Sequence, residues 1–344
     1  MTKLCKECRK QIFKRSKQYE NKKYCSVNCR KIASRRKLAA EARISKGKSL
    51  IVQVPHISYL IKECKRAETV QILSNHSLES FTKTMDFIKN KPKGDIEICH
   101  IAPARGKNSI GLLHYENLFY GGAYQNRNFG NNYLSGGLKI KRSHLMKKWA
   151  VDESMDNNTI LKKVEDFLGD IIKSYIKINR LQKSKKRSRV EAILTIDPDR
   201  DIGHLYCQSR KYLDDLLLAL RKNRAFVSCS GSESKYIIYV DELTRFISYG
   251  GKRARTLRKL RALMVAGYVA LEKIKESQTY NEEFYERYGS LIKPKYTHAA
   301  LKNPGKWSRF KDFIYEAVFI ILQGGPIDIK RFRKEFKLYL KRLK

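Results

Sequence analysis

Acidic residues are scarce in this sequence. Its 344 residues hold 34 Asp and Glu against 73 Lys and Arg, a formal net charge of +39. Charges of one sign at that excess repel one another in a compact state, so a polyanion is expected to meet them. Nucleic acid is the first expectation, because neutralised phosphates release counterions and that release supplies most of the affinity. An anionic membrane surface ranks behind it, and solubility alone is the bland explanation. Long apolar runs are lacking too. The longest, FIYEAVFIIL (Phe313–Leu322), is interrupted by Glu316 and is too short to span a bilayer. The opening MTKLC leads into cysteines without an apolar secretory segment. A soluble, cytoplasmic chain with no membrane partner is therefore expected. Internal repeats and long low-complexity tracts are absent as well.

Cysteine, by contrast, is present eight times. In a reducing compartment that argues for metal or free thiols before disulfides. Cys5 and Cys8 form a C-x2-C pair and Cys25 and Cys29 a C-x3-C pair, with sixteen residues between them. Each pair can offer two thiolates from a tight turn, and two pairs complete a closed tetrahedral Zn2+ site of the structural kind. The spacer has too little apolar content to fold alone, so metal binding would supply its folding free energy. The ending YCSVNCR resembles the small zinc ribbons of phage and mobile-element proteins. Arg30–Lys48 reads as a basic helix, and its Arg35, Arg36 and Lys37 are candidate phosphate contacts. Residues 1–48 are thus expected to form a zinc ribbon plus a basic helix.

Ser45–Ser49 (SKGKS) reads as a linker. Two short helices should follow it, the second N-capped by Ser77 with Glu79 in its first turn. DIEIC alternates like a strand. Beyond Asn158 the chain is mostly helical, and Ile160, Val164, Phe167, Leu168, Ile171, Ile172 and Tyr175 mark one apolar stripe. RVEAILTID (Arg189–Asp197) is expected to be a strand. The C-terminus should give two helices separated by Gly324–Pro326. Basic runs recur: Lys185, Lys186 and Arg187 within Lys183–Arg189, and Lys252, Arg253, Arg255, Arg258, Lys259 and Arg261 at the start of a helix. One such run can be a solvated face; several together favour a nucleic-acid surface.

One segment departs from this basic, helical pattern. Glu97–Asn132 holds two His, six Asn and five Gly. In CHIAP, His100 closes the expected strand; a loop with Arg105, Gly106 and Gly111 follows; Asn117 precedes an apolar pair; and Asn126 lies nine residues further on. This order resembles the His-Me finger, or HNH, endonucleases: H-I-x-P on a strand, a glycine-bearing loop, N-L, then an Asn or His on a short helix. The resemblance covers Asp95–Asn132, about a tenth of the chain.

The residue types suit phosphodiester hydrolysis. A histidine whose ordinary pKa is about 6.5 can activate water near neutrality. A hard divalent cation such as Mg2+ stabilises the scissile phosphate and takes oxygen ligands. The resemblance makes His100 the general base, Asn117 the residue that fixes the loop and Asn126 the cation ligand. Arg105 and Arg127 could neutralise the phosphate, and His114 is a lesser candidate. Cys99 stands where many family members carry Asp or His as a second ligand, and a thiolate suits Mg2+ poorly. That leaves Asn126, phosphate and waters, with Asn128 and Asn131 nearby.

The expected class is α+β and mostly helical, with a four-cysteine zinc ribbon, a ββα-metal nuclease core over 49–150 and a basic helical region over 151–344. The expected function is a metal-dependent DNA endonuclease of phage or mobile-element type acting on double-stranded DNA in a bacterial host, homing enzymes included. The alternative is a zinc-ribbon nucleic-acid-binding regulator without enzymatic activity.

Overall fold

A computed structural model describes residues 3–13, 19–179, 181, 185–221, 234–277, 279 and 281–341. The chain forms two compact units that interleave in sequence, one from 1–58 with 168–223 and the other from 59–167 with 224–344. Residues 151–344, expected as one region, are therefore shared between both units.

The N-terminal turns lead into α1 (Val27–Leu50), followed by α2 (Pro55–Ala67) and α3 (Leu78–Lys89). Ser77 caps α3 and exchanges hydrogen bonds with Ser80, while Phe81, Thr84, Met85 and Ile88 bury one face at helical spacing. Next come β1 (Ile96–His100), β2 (Ser109–Gly111), β3 (Leu118–Gly122), α4 (Ala123–Phe129) and β4 (Lys139–Lys141). β1 pairs antiparallel with β3, with His100 opposite Leu118, and β2 pairs antiparallel with β4.

Among the described residues, the later elements are helical apart from one short strand pair. They are α5 (Asn157–Leu168), α6 (Asp170–Ile178), α7 (Lys185–Ile196), α8 (Ile202–Cys207), α9 (Arg210–Arg221), α10 (Lys235–Ser248), α11 (Ala254–Glu272), α12 (Glu282–Tyr288) and α13 (Pro294–Thr297), then β5 (Ala300–Leu301), α14 (Trp307–Leu322), α15 (Ile329–Tyr339) and β6 (Leu340–Lys341). In the unit that carries β1, Tyr236, Val240 and Leu243 of α10 meet Leu257, Leu260, Met264 and Tyr268 of α11, closed by Phe310, Ile314 and Phe319 of α14 and Phe332 and Phe336 of α15. The hairpin rests on this helical core, since Cys99 and Phe119 belong to it. Tyr239 fastens the hairpin, its phenol accepting the Gly122 amide at 2.8 Å.

Two local expectations need correction. Ser45–Ser49 is no linker: α1 runs through it to Leu50. A single Gly47 costs a helix only about 1 kcal/mol, and no proline occurs before Pro55 to stop it. Arg189–Asp197 is no strand either, because α7 covers all but its last residue. Val190 and Ile193, three apart, are both buried against Leu205 and Leu213, which is helical rather than alternating burial. Lys183 and Ser184 of the same basic run lie outside the described residues.

Candidate functional site

The loop between β1 and β3 is clamped from within by Asn117. Asn117 is 0 % exposed. Its Oδ1 accepts the Ala102 amide at 2.9 Å, and its Nδ2 donates to the carbonyls of Ala102 at 3.1 Å and Leu112 at 2.8 Å. Two glycines make room for this. A Cβ on Gly137 (φ +69°) would stand 2.2 Å from Asn117 Oδ1, and one on Gly111 would stand 1.6 Å from the Ala102 carbonyl oxygen. Arg245 of α10 secures the flanks by donating to the carbonyls of Tyr115 at 3.0 Å and Leu118 at 2.6 Å. Its ion-pair partner is the buried Glu242, whose carboxyl burial pushes up to about 7 against the pull of Arg245.

His100 faces α2. Its side chain is 4 % exposed, and Nε2 lies 3.1 Å from Glu63 Oε2, in contact but without hydrogen-bond alignment. The other Glu63 oxygen is 3.5 Å from Arg66. Burial alone would raise the Glu63 carboxyl, but the imidazole and the guanidinium beside it hold it below its ordinary value.

Glu97 and Cys99 alternate with His100 along β1 and so project from the other face of the strand. Cys99 is buried in the helical core, and burial pushes its thiol well above the ordinary range. Glu97 accepts from Asn126 Nδ2 at 2.7 Å through Oε2, and from Arg127 Nε and Nη2 at 3.0 and 2.8 Å through Oε1. Asn126 and Arg127 thus converge on a carboxylate that the motif reading passed over, on the face away from His100. The two-residue period of DIEIC could have flagged it. Glu63 had no such local signal. Arg105 is drawn to the end of α2, donating to the Arg66 carbonyl at 2.7 Å and lying 3.6 Å from Glu153. His114 stacks on His76 with ring centroids 5.0 Å apart, and burial pushes both imidazoles below their ordinary value. Asn128 and Asn131 are exposed.

In the other unit, Cys5, Cys8, Cys25 and Cys29 bring their sulfurs within 4.8 Å of one another, a group that could hold a metal ion such as zinc. The Sγ–Sγ separations of 3.4 Å (Cys8–Cys25) and 3.5 Å (Cys25–Cys29) approach the roughly 3.8 Å that tetrahedral Zn–S bonds of about 2.3 Å impose. The second pair is built on a helix start: Ser26 caps α1 and accepts the Cys29 amide at 3.2 Å. Burial would raise the Cys5 thiol, but the amides of Cys8, Cys25 and Glu7 bring it down to about 6. Cys25 is pushed up to about 12 by the neighbouring sulfurs of Cys8 and Cys29. Four thiols this close resist joint ionisation unless a cation compensates the charge.

The basic candidates divide. Lys252, Arg255, Arg258 and Lys259 are exposed and pair with no carboxylate among the described residues. Arg253 is instead spent on the end of α14, donating to the carbonyls of Ile321 and, at 3.1 Å, Gly325. Arg261 donates to Thr244 Oγ1 at 3.1 Å. Arg36 pairs with Glu7 at 2.5 Å, Lys37 lies 3.9 Å from Glu41, and Arg187 pairs with Glu191 at 3.2 Å. Arg35 and Lys185 are exposed, and Lys186 is half-buried. Among the described residues no helix is long and apolar enough to cross a membrane. No protein-family model, curated protein or solved structure matches the chain.

Proposed function

We propose that this chain is a metal-dependent endonuclease acting on DNA, with a structural zinc ribbon at its N-terminus. The observation that carries the reading is the continuous unit of β1, a loop clamped by Asn117, β3 and α4, with His100 ending the first strand and Asn126 on the helix. That is the order of parts in the His-Me finger enzymes. In this reading His100 is the general base, with the Glu63 carboxylate 3.1 Å from its Nε2. Glu97 and Asn126 together offer the oxygen donors that a hard cation needs, which answers the poor fit of Cys99. Such a cation would supply Lewis-acid stabilisation of the phosphate. The exposed cations of α11 would hold the backbone.

A second reading, a nucleic-acid-binding protein without catalysis, draws on one specific observation. His100 is enclosed against Glu63 while Asn126 is tied to Glu97 on the other face of β1. One experiment separates the two. Supercoiled plasmid is incubated with wild type, His100→Ala and Glu97→Ala, each with Mg2+ or with EDTA. Nicking or linearisation that needs both the metal and His100 supports the endonuclease. Binding without any metal-dependent cleavage by wild type supports the second reading.

A further inference from the structure

The face of α4 away from β1 borders a cavity of about 260 Å3 against α14. Tyr124 stands at its edge, 62 % exposed although it is a large aromatic. Phe129 and Phe319 supply apolar walls, packed edge to face at 5.7 Å. Gln125, Asn128 and Glu316 supply polar groups. One of these, Gln125, is not open to a ligand: it is only 9 % exposed, and its Oε1 lies against the Gly122 backbone, where an added Cβ would stand 2.1 Å from it. Glu316 is an exposed carboxylate that pairs with no cation among the described residues, in a chain of net charge +39.

We infer that this cavity is a subsite for one unstacked nucleobase bearing an exocyclic amine. The inference rests on the nucleic-acid reading above and adds the part of the ligand that is recognised. Size comes first: the space falls below the roughly 300–1,000 Å3 of pockets for drug-sized ligands, so it suits a single ring system. An exposed tyrosine ring offers a stacking platform, which every base can use. The carboxylate then selects. The Glu316 side chain accepts rather than donates and repels phosphate, so the backbone must pass elsewhere and a base edge must meet it. That edge has to donate, because a carboxylate only accepts. Cytosine presents an amine for this purpose, whereas thymine presents a carbonyl in its place. The exposed Asn128 carboxamide can both donate and accept, which serves the ring nitrogen or carbonyl beside that amine.

The test uses the full chain in its zinc-loaded form, with no added Mg2+ so that cleavage is prevented, and fluorescence anisotropy with labelled oligo-dC, oligo-dT and a mixed-sequence duplex at neutral pH. Wild type should bind oligo-dC more tightly than oligo-dT. Tyr124→Ala should weaken oligo-dC binding by about tenfold, the lower range for loss of one stacked base, and leave the duplex within a factor of about two. Tyr124→Phe should restore it, and Glu316→Gln should erase the preference for dC over dT. Equal wild-type binding of both oligomers, or equal loss on single strand and duplex in Tyr124→Ala, would overturn the subsite and leave the nucleic-acid reading standing. Absence of any oligonucleotide binding by wild type would overturn both. A change in sedimentation in Tyr124→Ala with unchanged oligonucleotide affinity would make this face a contact between copies of the chain and end the proposal. Because Tyr124 is exposed, its substitution spares the core, and circular dichroism checks that the fold persists.

Discussion

Asn117 and Ala102 are joined by a reciprocal pair of hydrogen bonds, the carboxamide accepting the Ala102 amide and donating to the Ala102 carbonyl at 2.9 and 3.1 Å. With the third bond, to Leu112, the buried side chain substitutes for a missing strand partner within the loop. Asn117→Ala would leave two buried carbonyls and one buried amide without their partner. At about 1–3 kcal/mol for each group left unsatisfied, the variant should lose several kcal/mol of stability. Denaturant melts check this. Asn117→Asp should fare almost as badly, since a carboxylate cannot donate to the carbonyls. A wild-type melting curve for either variant would remove Asn117 from its role as the clamp.

Metal should be bound at one ion per chain. The four sulfurs are close enough for a single tetrahedral site, and Cys25 shares contacts with both Cys8 and Cys29. Elemental analysis should find zinc in the wild type, and Cys25→Ser should lose most of it. Chelation should unfold the N-terminal turns, because a bound metal would supply their folding free energy. Limited proteolysis with and without chelator reads this directly.

Activity should depend on His100 and on its partner. His100→Ala should reduce plasmid cleavage by about 10²–10⁴ if it removes a general base, while leaving affinity for DNA intact. Glu63→Gln keeps the size of the side chain but removes its charge, so it should give a smaller loss and shift the pH profile of cleavage. A His114→Ala control should retain substantial activity, since that ring stacks on His76. Wild-type rates in His100→Ala would end its assignment as base.

Stability should depend on pH through Glu242. Burial raises its carboxyl to about 7 in the fold, well above the ordinary glutamate value of 4.5. The unfolded chain therefore gives up this proton first as pH rises. The contribution is complete below about pH 4.5 and is lost as pH climbs through about 7. The stability of wild type relative to Glu242→Gln should accordingly decline across that window. A difference that stays flat between those limits would mean that Arg245 keeps the carboxylate ionised throughout.

The charge of α11 should show in salt dependence. Reversing Arg255, Arg258 and Lys259 to Glu should weaken binding of all DNA sequences alike and flatten the plot of log affinity against log salt, because fewer counterions are released. Arg253→Ala should behave differently. It should destabilise the protein, because its guanidinium donates to the carbonyls at the end of α14. Thermal melting beside the binding titration distinguishes the two effects.

Local patterns were legible in the sequence for a physical reason. The cysteine cluster needs only two short turns within the first thirty residues, so spacing alone announces it. The strand ending at His100, the short helix carrying Asn126 and the cap at Ser77 are likewise set by neighbours in sequence. The paired C-terminal helices follow from apolar periodicity and the break at Gly324–Pro326. Only tertiary structure decided which distant group meets each of these. Glu63 meets His100 across 37 residues of chain, and Arg245 reaches Tyr115 and Leu118 across more than 120. A basic run reads the same whether its cations face water or, as in Arg253, cap a helix. The apolar residues of Arg189–Asp197 suit a strand by composition, and burial against Leu205 and Leu213 made them a helix. Periodicity reports that a face is apolar; the partner of that face is fixed only when the chain closes around it.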